Sequence, residues 1–103
     1  MIIIPAIDII DGKPVRLYQG DYNKKEIVAE DILETAKSFE KKGAGYIHMV
    51  DLDGAKKGEL VNGDAIIKVA KTVNVPVEVG GGIRNFETIK YLLFMKIGAV
   101  FIY

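Results

Sequence analysis

The chain has 103 residues, 14 basic and 14 acidic, with a formal net charge of zero and no cysteine. A balance of this kind creates no long-range field for nucleic acid or an anionic membrane, and no apolar run nears the ~18–20 residues that span a bilayer. Without cysteine there are neither disulfides nor thiolate metal sites, so the expectation is a cytoplasmic protein with one small domain over residues 1–103.

Ile2-Ile3-Ile4-Pro5-Ala6-Ile7 is continuously apolar, the pattern of a parallel strand buried on both faces. Residues 9–30 carry turn signals at Gly12, Pro14, Gly20 and Asn23, with Lys13–Gln19 as a short extra strand among them. Asp31 to Lys42 reads as a helix: Asp31 caps it, Ile32, Leu33, Ala36 and Phe39 share a face, and Gly43 stops it. A second strand covers Tyr46–Val50, followed by a polar loop from Leu52 to Gly58. A helix from Asn62 to Val73 buries Ile66, Ile67, Val69 and Ala70. Pro76–Val79 is a third strand, Asn85–Ile97 a helix capped by Asn85, and Ala99–Tyr103 a fourth strand.

The order β-α-β-α-β-α-β implies a parallel sheet with right-handed crossovers. An open doubly wound sheet and part of a (β/α)₈ barrel both satisfy it. Both also place functional residues after the carboxyl ends of strands, where Asp8, Asp51 and Gly80–Gly82 fall. A dinucleotide-binding domain carries its glycine-rich turn after the first strand. Here that turn follows the third strand, and a carboxylate follows the first.

Gly80-Gly81-Gly82-Ile83-Arg84 leads into a helix start at Asn85. Glycines permit close backbone approach, the helix start offers free N–H groups, and Arg84 adds charge, which together suit a phosphate. The same glycines also serve a plain strand-to-helix turn. Asp8 is a candidate general acid or base, or else a turn residue bonding nearby N–H groups. Asp51 is a candidate for hydrogen bonding to a ribose or an amide, or else a loop cap. Asp53 lies close by, but no histidine or third acid has metal-ligand spacing, so no metal is expected. His48, the single histidine, falls on the face opposite Met49 and Asp51. If Asp51 faces a ligand, His48 points toward the helices as a structural residue. Glu78 sits within a strand expected to be buried and needs a partner, with Arg16 and Lys13 as candidates. It is either half of a structural ion pair or a site residue. Lys56-Lys57 is a solvated pair or an attractor of phosphate.

Taken together, Ile4-Pro5-Ala6-Ile7-Asp8-Ile9, Gly12-Lys13, Val15-Arg16-Leu17-Tyr18-Gln19-Gly20-Asp21, His48-Met49-Val50-Asp51-Leu52-Asp53-Gly54-Ala55 and Gly80-Gly81-Gly82-Ile83-Arg84 resemble the amino-terminal half of the histidine-biosynthesis isomerase family. Those enzymes act on phosphoribosylformimino-5-aminoimidazole carboxamide ribotide. The sister cyclase typically carries Cys-Leu-Asp where this chain has Ala6-Ile7-Asp8. The resemblance implies an α/β fold, half of a TIM (β/α)₈ barrel, and a cofactor-free Amadori rearrangement of an aminoaldose to an aminoketose. In that reaction an acid helps open the ribose ring to a Schiff base, and a base moves the proton from C2. The resemblance makes Asp8 a catalytic aspartate. It suggests that Gly81, Gly82 and Arg84 lie near one end of a long substrate with a phosphate at each end; Arg16 and Asp51 are further candidates for binding that phosphorylated ribonucleotide, or phosphate.

The family runs to about twice this length, as whole barrels do. Its second catalytic aspartate follows strand five, and its second phosphate site follows strands seven and eight, so neither is expected in this chain. Tyr103 stands where the family ends strand four with glycine. The chain is therefore expected to lack full activity alone and to associate, as a homo-oligomer or with a complementary half barrel. Its first and fourth strands would be the free edges. The alternative function is a non-catalytic, phosphate-binding or self-assembling half-barrel module.

Overall fold

The computed structural model describes residues 4–18, 21–27 and 31–102. Ile2, Ile3, Gln19, Gly20 and Tyr103, which figure in the expected strands and motifs, lie outside them. The strands are β1 (Ala6–Ile10), β2 (Lys13–Tyr18), β3 (Asp21–Ile27), β4 (Ile47–Asp51), β5 (Val77–Gly80) and β6 (Ala99–Val100). The helices are α1 (Ile32–Lys41), α2 (Leu52–Lys57), α3 (Gly63–Thr72) and α4 (Phe86–Phe94). One six-stranded sheet runs β3-β2-β1-β4-β5-β6.

The parallel part, β1-β4-β5-β6, is the expected βα series. Each crossover moves one strand along in the same direction, so right-handed connections lay the helices on one face of the sheet. Ile7, Ile9, Ile47, Met49, Val77 and Val79 meet Ile32, Ala36, Ile66, Val69 and Leu92 in the core. The opposite face is uncovered, with Ala6 exposed and Asp8, His48, Val50 and Glu78 half-buried. The architecture is that of a partial TIM barrel whose sheet does not close.

Helix signals translate directly. Asp31 caps α1 by accepting from the Leu33 N–H at 2.8 Å, and Gly43 leaves the helix with a φ of 97°. Asn85 caps α4 by accepting from the Thr88 N–H at 2.8 Å.

Four expectations are corrected. The first strand is Ala6–Ile10, later than Ile2–Ile7, so Asp8 sits at its middle and not after its end. Pro5 has no N–H for the ladder, though its carbonyl accepts from the His48 N–H at 2.9 Å. The strand then runs on to Asp11 and Gly12, whose φ values of 52° and 73° make a hairpin turn into antiparallel β2. Residues 13–27 thus hold two antiparallel strands where one short strand was expected. This hairpin covers the side of β1, so among the described residues the sheet edges are β3 and β6: the fourth strand of the barrel series is an edge as expected, and the first is not. Finally, Leu52–Gly58 is no loop. Asp51 caps α2, Lys56 and Lys57 favour its carbonyl end, and Gly58 stops it at a φ of 86°.

Candidate active site

The uncovered face carries an acid–imidazole–acid row. Register sets Ala6 beside His48 and His48 beside Glu78, while Asp8 stands beside Val50. His48 Nδ1 lies 3.3 Å from Glu78 Oε1. His48 therefore points away from the helices, contrary to the expectation, and it is Asp51 and Met49 that face the helical layer. Glu78 finds its partner on the adjacent strand, whereas Arg16 and Lys13 lie on β2, three strands away. Asp8 is half-buried, and burial pushes its carboxyl above the usual carboxylate range while His48 pulls it back.

At the carboxyl ends of the strands, Asp51 is fully buried and accepts four hydrogen bonds. Oδ1 takes the Gly54 N–H at 2.9 Å and Asn62 Nδ2 at 2.7 Å; Oδ2 takes the Val61 and Asn62 N–H groups at 2.7 and 2.8 Å. Asn62 Nδ2 also reaches Asp53 Oδ2 at 3.0 Å. Asp53 accepts from the Asp11 N–H at 2.7 Å, and Asn62 Oδ1 from the Gly12 N–H at 3.0 Å. One buried carboxylate thus organises α2 and the start of α3, and this network is tied to the β1–β2 turn. Tyr22 of β3 reaches across, its hydroxyl donating to the Leu52 carbonyl at 3.1 Å. Burial pushes that hydroxyl up, and the charges of Asp53, Asp8 and Asp51 add to the shift.

The glycine turn leans on this same framework. Gly81 and Gly82 have φ values of 100° and 78°, which L side chains rarely adopt. A Cβ on Gly81 would strike the Asp51 backbone, and one on Gly82 the Gly54 carbonyl. The close approach these glycines permit in this chain is therefore between two of its own segments. Arg84 is exposed, its guanidinium passing over Gly58 at the end of α2.

Arg16 lies away from the strand-end group. It is exposed on β2 opposite Glu26, and lines a cleft of about 230 Å³ together with Asp8 of β1 and Thr35 and Phe39 of α1. The structure gathers Asp51, Gly81, Gly82 and Arg84 at one end of the sheet and Asp8 on its open face, with Arg16 at the rim. Among the described residues no group of three or more His, Cys, Asp or Glu is placed to hold a metal. None of their helices is long and apolar enough to cross a membrane.

The sequence pattern matches the histidine biosynthesis protein family over residues 2–102. The chain belongs to that family. Its relatives include 1-(5-phosphoribosyl)-5-((5-phosphoribosylamino)methylideneamino)imidazole-4-carboxamide isomerases from several clostridia. Identity is 74% over 93 residues with the Clostridium beijerinckii protein, covering 90% of this chain and 39% of that one. It is 71% over 93 residues with a Clostridium botulinum protein, at the same coverages of 90% and 39%. With the Clostridium kluyveri protein it is 60% over 98 residues, covering 95% of this chain and 40% of that one. The chain thus spans about two fifths of the length of these relatives and matches their amino-terminal part.

Two features of the site were not foreseen. The His48–Glu78 pair was missed because the faces were assigned from Asp51 as a ligand-facing residue; the alternation of Ile47, Met49, Val77 and Val79 with His48 and Glu78 was the available signal. Asn62 was read as a helix start only; its place 11 residues after Asp51, beside a second acid at Asp53, was the available signal.

Proposed function

We propose that this chain is the amino-terminal, proton-transferring part of an isomerase that converts an aminoaldose to an aminoketose on a phosphorylated ribonucleotide. Such a step moves hydrogen between neighbouring carbons of one molecule, so it needs positioned acids and bases and no external oxidant or reductant. One observation carries this function: Asp8 lies half-buried on the open face, and its burial raises the proton affinity of a carboxyl toward the range useful for general acid–base work. Gly81, Gly82 and Arg84 would seat a phosphate at the strand ends. Asp51 would serve them by holding the loop they lean on, and Arg16 would offer a cation at the rim. A biosynthetic role of this kind belongs in the cytoplasm, in keeping with the cysteine-free sequence.

The test is turnover by the purified chain, alone and mixed with a polypeptide covering the remaining length of the relatives. The chain alone should be nearly inactive. The mixture should turn over, and Asp8→Asn should remove about 10²–10⁴-fold of that rate. Undiminished turnover by the Asn variant would refute the role of Asp8.

A second possibility, a self-associating module without turnover, is favoured by the apolar surface on and beyond α4. Phe86, Leu93 and Phe94 are 68%, 50% and 85% exposed, and Ile102 is 62% exposed. Light scattering at micromolar concentration separates the two: a dimer or larger species, with no turnover in the mixture, supports the module.

A further inference from the structure

Asp8 shares its sheet face with a second titratable unit. His48 and Glu78 stand side by side in the parallel register, their side chains each 18% exposed, with Nδ1 and Oε1 3.3 Å apart. Phe101 meets the imidazole edge-on, ring centroids 4.9 Å apart at 85°. The ring is thus held at one nitrogen and wedged by an aromatic face. Because Ala6 pairs with His48 and Asp8 with Val50, Asp8 lies one diagonal step along the same face.

We propose that His48, oriented by Glu78, is a positioning residue that sets the charge state of Asp8 across the open face of the sheet. The purpose assigned to this arrangement rests on the isomerase function above; its physical content does not. A carboxylate beside Nδ1 directs the Nδ1–H toward itself and selects that tautomer. A positive ring near Asp8 favours the carboxylate over the carboxylic acid, opposing burial. The opposed influences of burial and His48 on Asp8 agree with this arrangement. Among the described residues, the titratable groups placed toward the imidazole include Asp8 from β1 and Glu78 from β5. Tyr22 from β3 enters through its coupling to Asp8. Asp8 is thereby held between burial, which favours its protonated form, and the imidazole, which when charged favours the carboxylate. A group meant to both take and return a proton needs such a balance.

The experiment is an NMR pH titration of the 103-residue chain, following the Asp8 carboxyl carbon and the His48 ring nitrogens. It involves no substrate and no turnover, so its outcome is independent of whether the chain acts as an isomerase. In His48→Gln the Asp8 midpoint should rise by about half a unit, roughly a threefold gain in proton affinity. An unchanged or lower midpoint overturns the proposal, since a merely structural histidine would alter stability and leave Asp8 alone. If that variant does not fold, the wild-type chain decides. Two coupled groups titrate together, so the Asp8 curve should show a second step where His48 titrates, and a single step overturns the proposal. The ring nitrogens should report protonated Nδ1 in the wild type. Loss of that tautomer in Glu78→Ala supports the role of Glu78, and its persistence refutes it.

Discussion

Replacing Asp51 with asparagine should remove a large part of this chain's stability. The carboxylate is completely buried, and each oxygen accepts from two donors. An amide of the same shape keeps one oxygen, and its NH₂ turns donor against donor at the other. Whichever way the amide flips, two of the four donors lose their acceptor: either the Val61 and Asn62 N–H groups, or the Gly54 N–H and Asn62 Nδ2. At ~1–3 kcal/mol for each stranded buried donor, the loss is about 2–6 kcal/mol out of the ~5–15 kcal/mol typical of a domain. Urea unfolding followed by circular dichroism would read a loss of about 3 kcal/mol as a fall in midpoint of roughly 1–3 M. Hydrogen exchange should show the Val61, Asn62 and Gly12 amides opening first, because Asn62 carries the connection on to the β1–β2 turn. A loss below about 1 kcal/mol, with those amides still protected, would refute the assignment of Asp51 as the organiser of this loop.

Two further substitutions probe the same face and the same end of the sheet. Gly82→Ala should cost about 1–3 kcal/mol by the same unfolding measurement, because φ is 78° there and a Cβ would come within 2.8 Å of the Glu59 carbonyl; an unchanged midpoint would show that the turn can shift. Asp8→Asn should stabilise the fold near neutral pH by less than about 1 kcal/mol, a half-buried group being partly screened. The sign follows from the raised folded pKa: the native state prefers the protonated carboxyl, so stability is lost as pH rises from the ordinary carboxylate value of 3.8 through the folded value. The gain should therefore vanish at about pH 3, where both states are protonated, and a gain equal at both pH values would contradict the burial of Asp8.

The helices were legible because their signals are local. Asp31 and Asn85 bond the N–H groups a cap should bond, and the apolar stripes of α1 and α3 face the sheet as their spacing requires. The strands hid two things. Asp21–Ile27 is Asp-Tyr-Asn-Lys-Lys-Glu-Ile, with little apolar alternation, because an edge strand gains from charge and need not be buried. In β4 the alternation of Ile47 and Met49 with His48 marks the sidedness, and assigning the faces from Asp51 as a ligand contact conceals it. Asp51 left two roles open, a ligand contact and a loop cap, for a related reason. A carboxylate at a strand end is equally suited to a ligand and to four backbone and amide donors of its own chain. Residue type does not distinguish an acceptor still free from one already satisfied.

The bonds from the Asp11 and Gly12 amides to Asp53 and Asn62 join residues 42 and 50 positions apart. Bringing such distant points together costs chain entropy, but the cost is shared with the pairing of β1 and β4, which spans a similar length. Until those strands have docked, neither amide has its acceptor within reach. The hairpin turn itself needs only Asp11 and Gly12 and can form early. In a refolding experiment with pulsed hydrogen exchange, the two turn amides should gain protection after the α1 amides and together with the β1–β4 ladder. They would act as a timestamp for the moment the sheet is assembled.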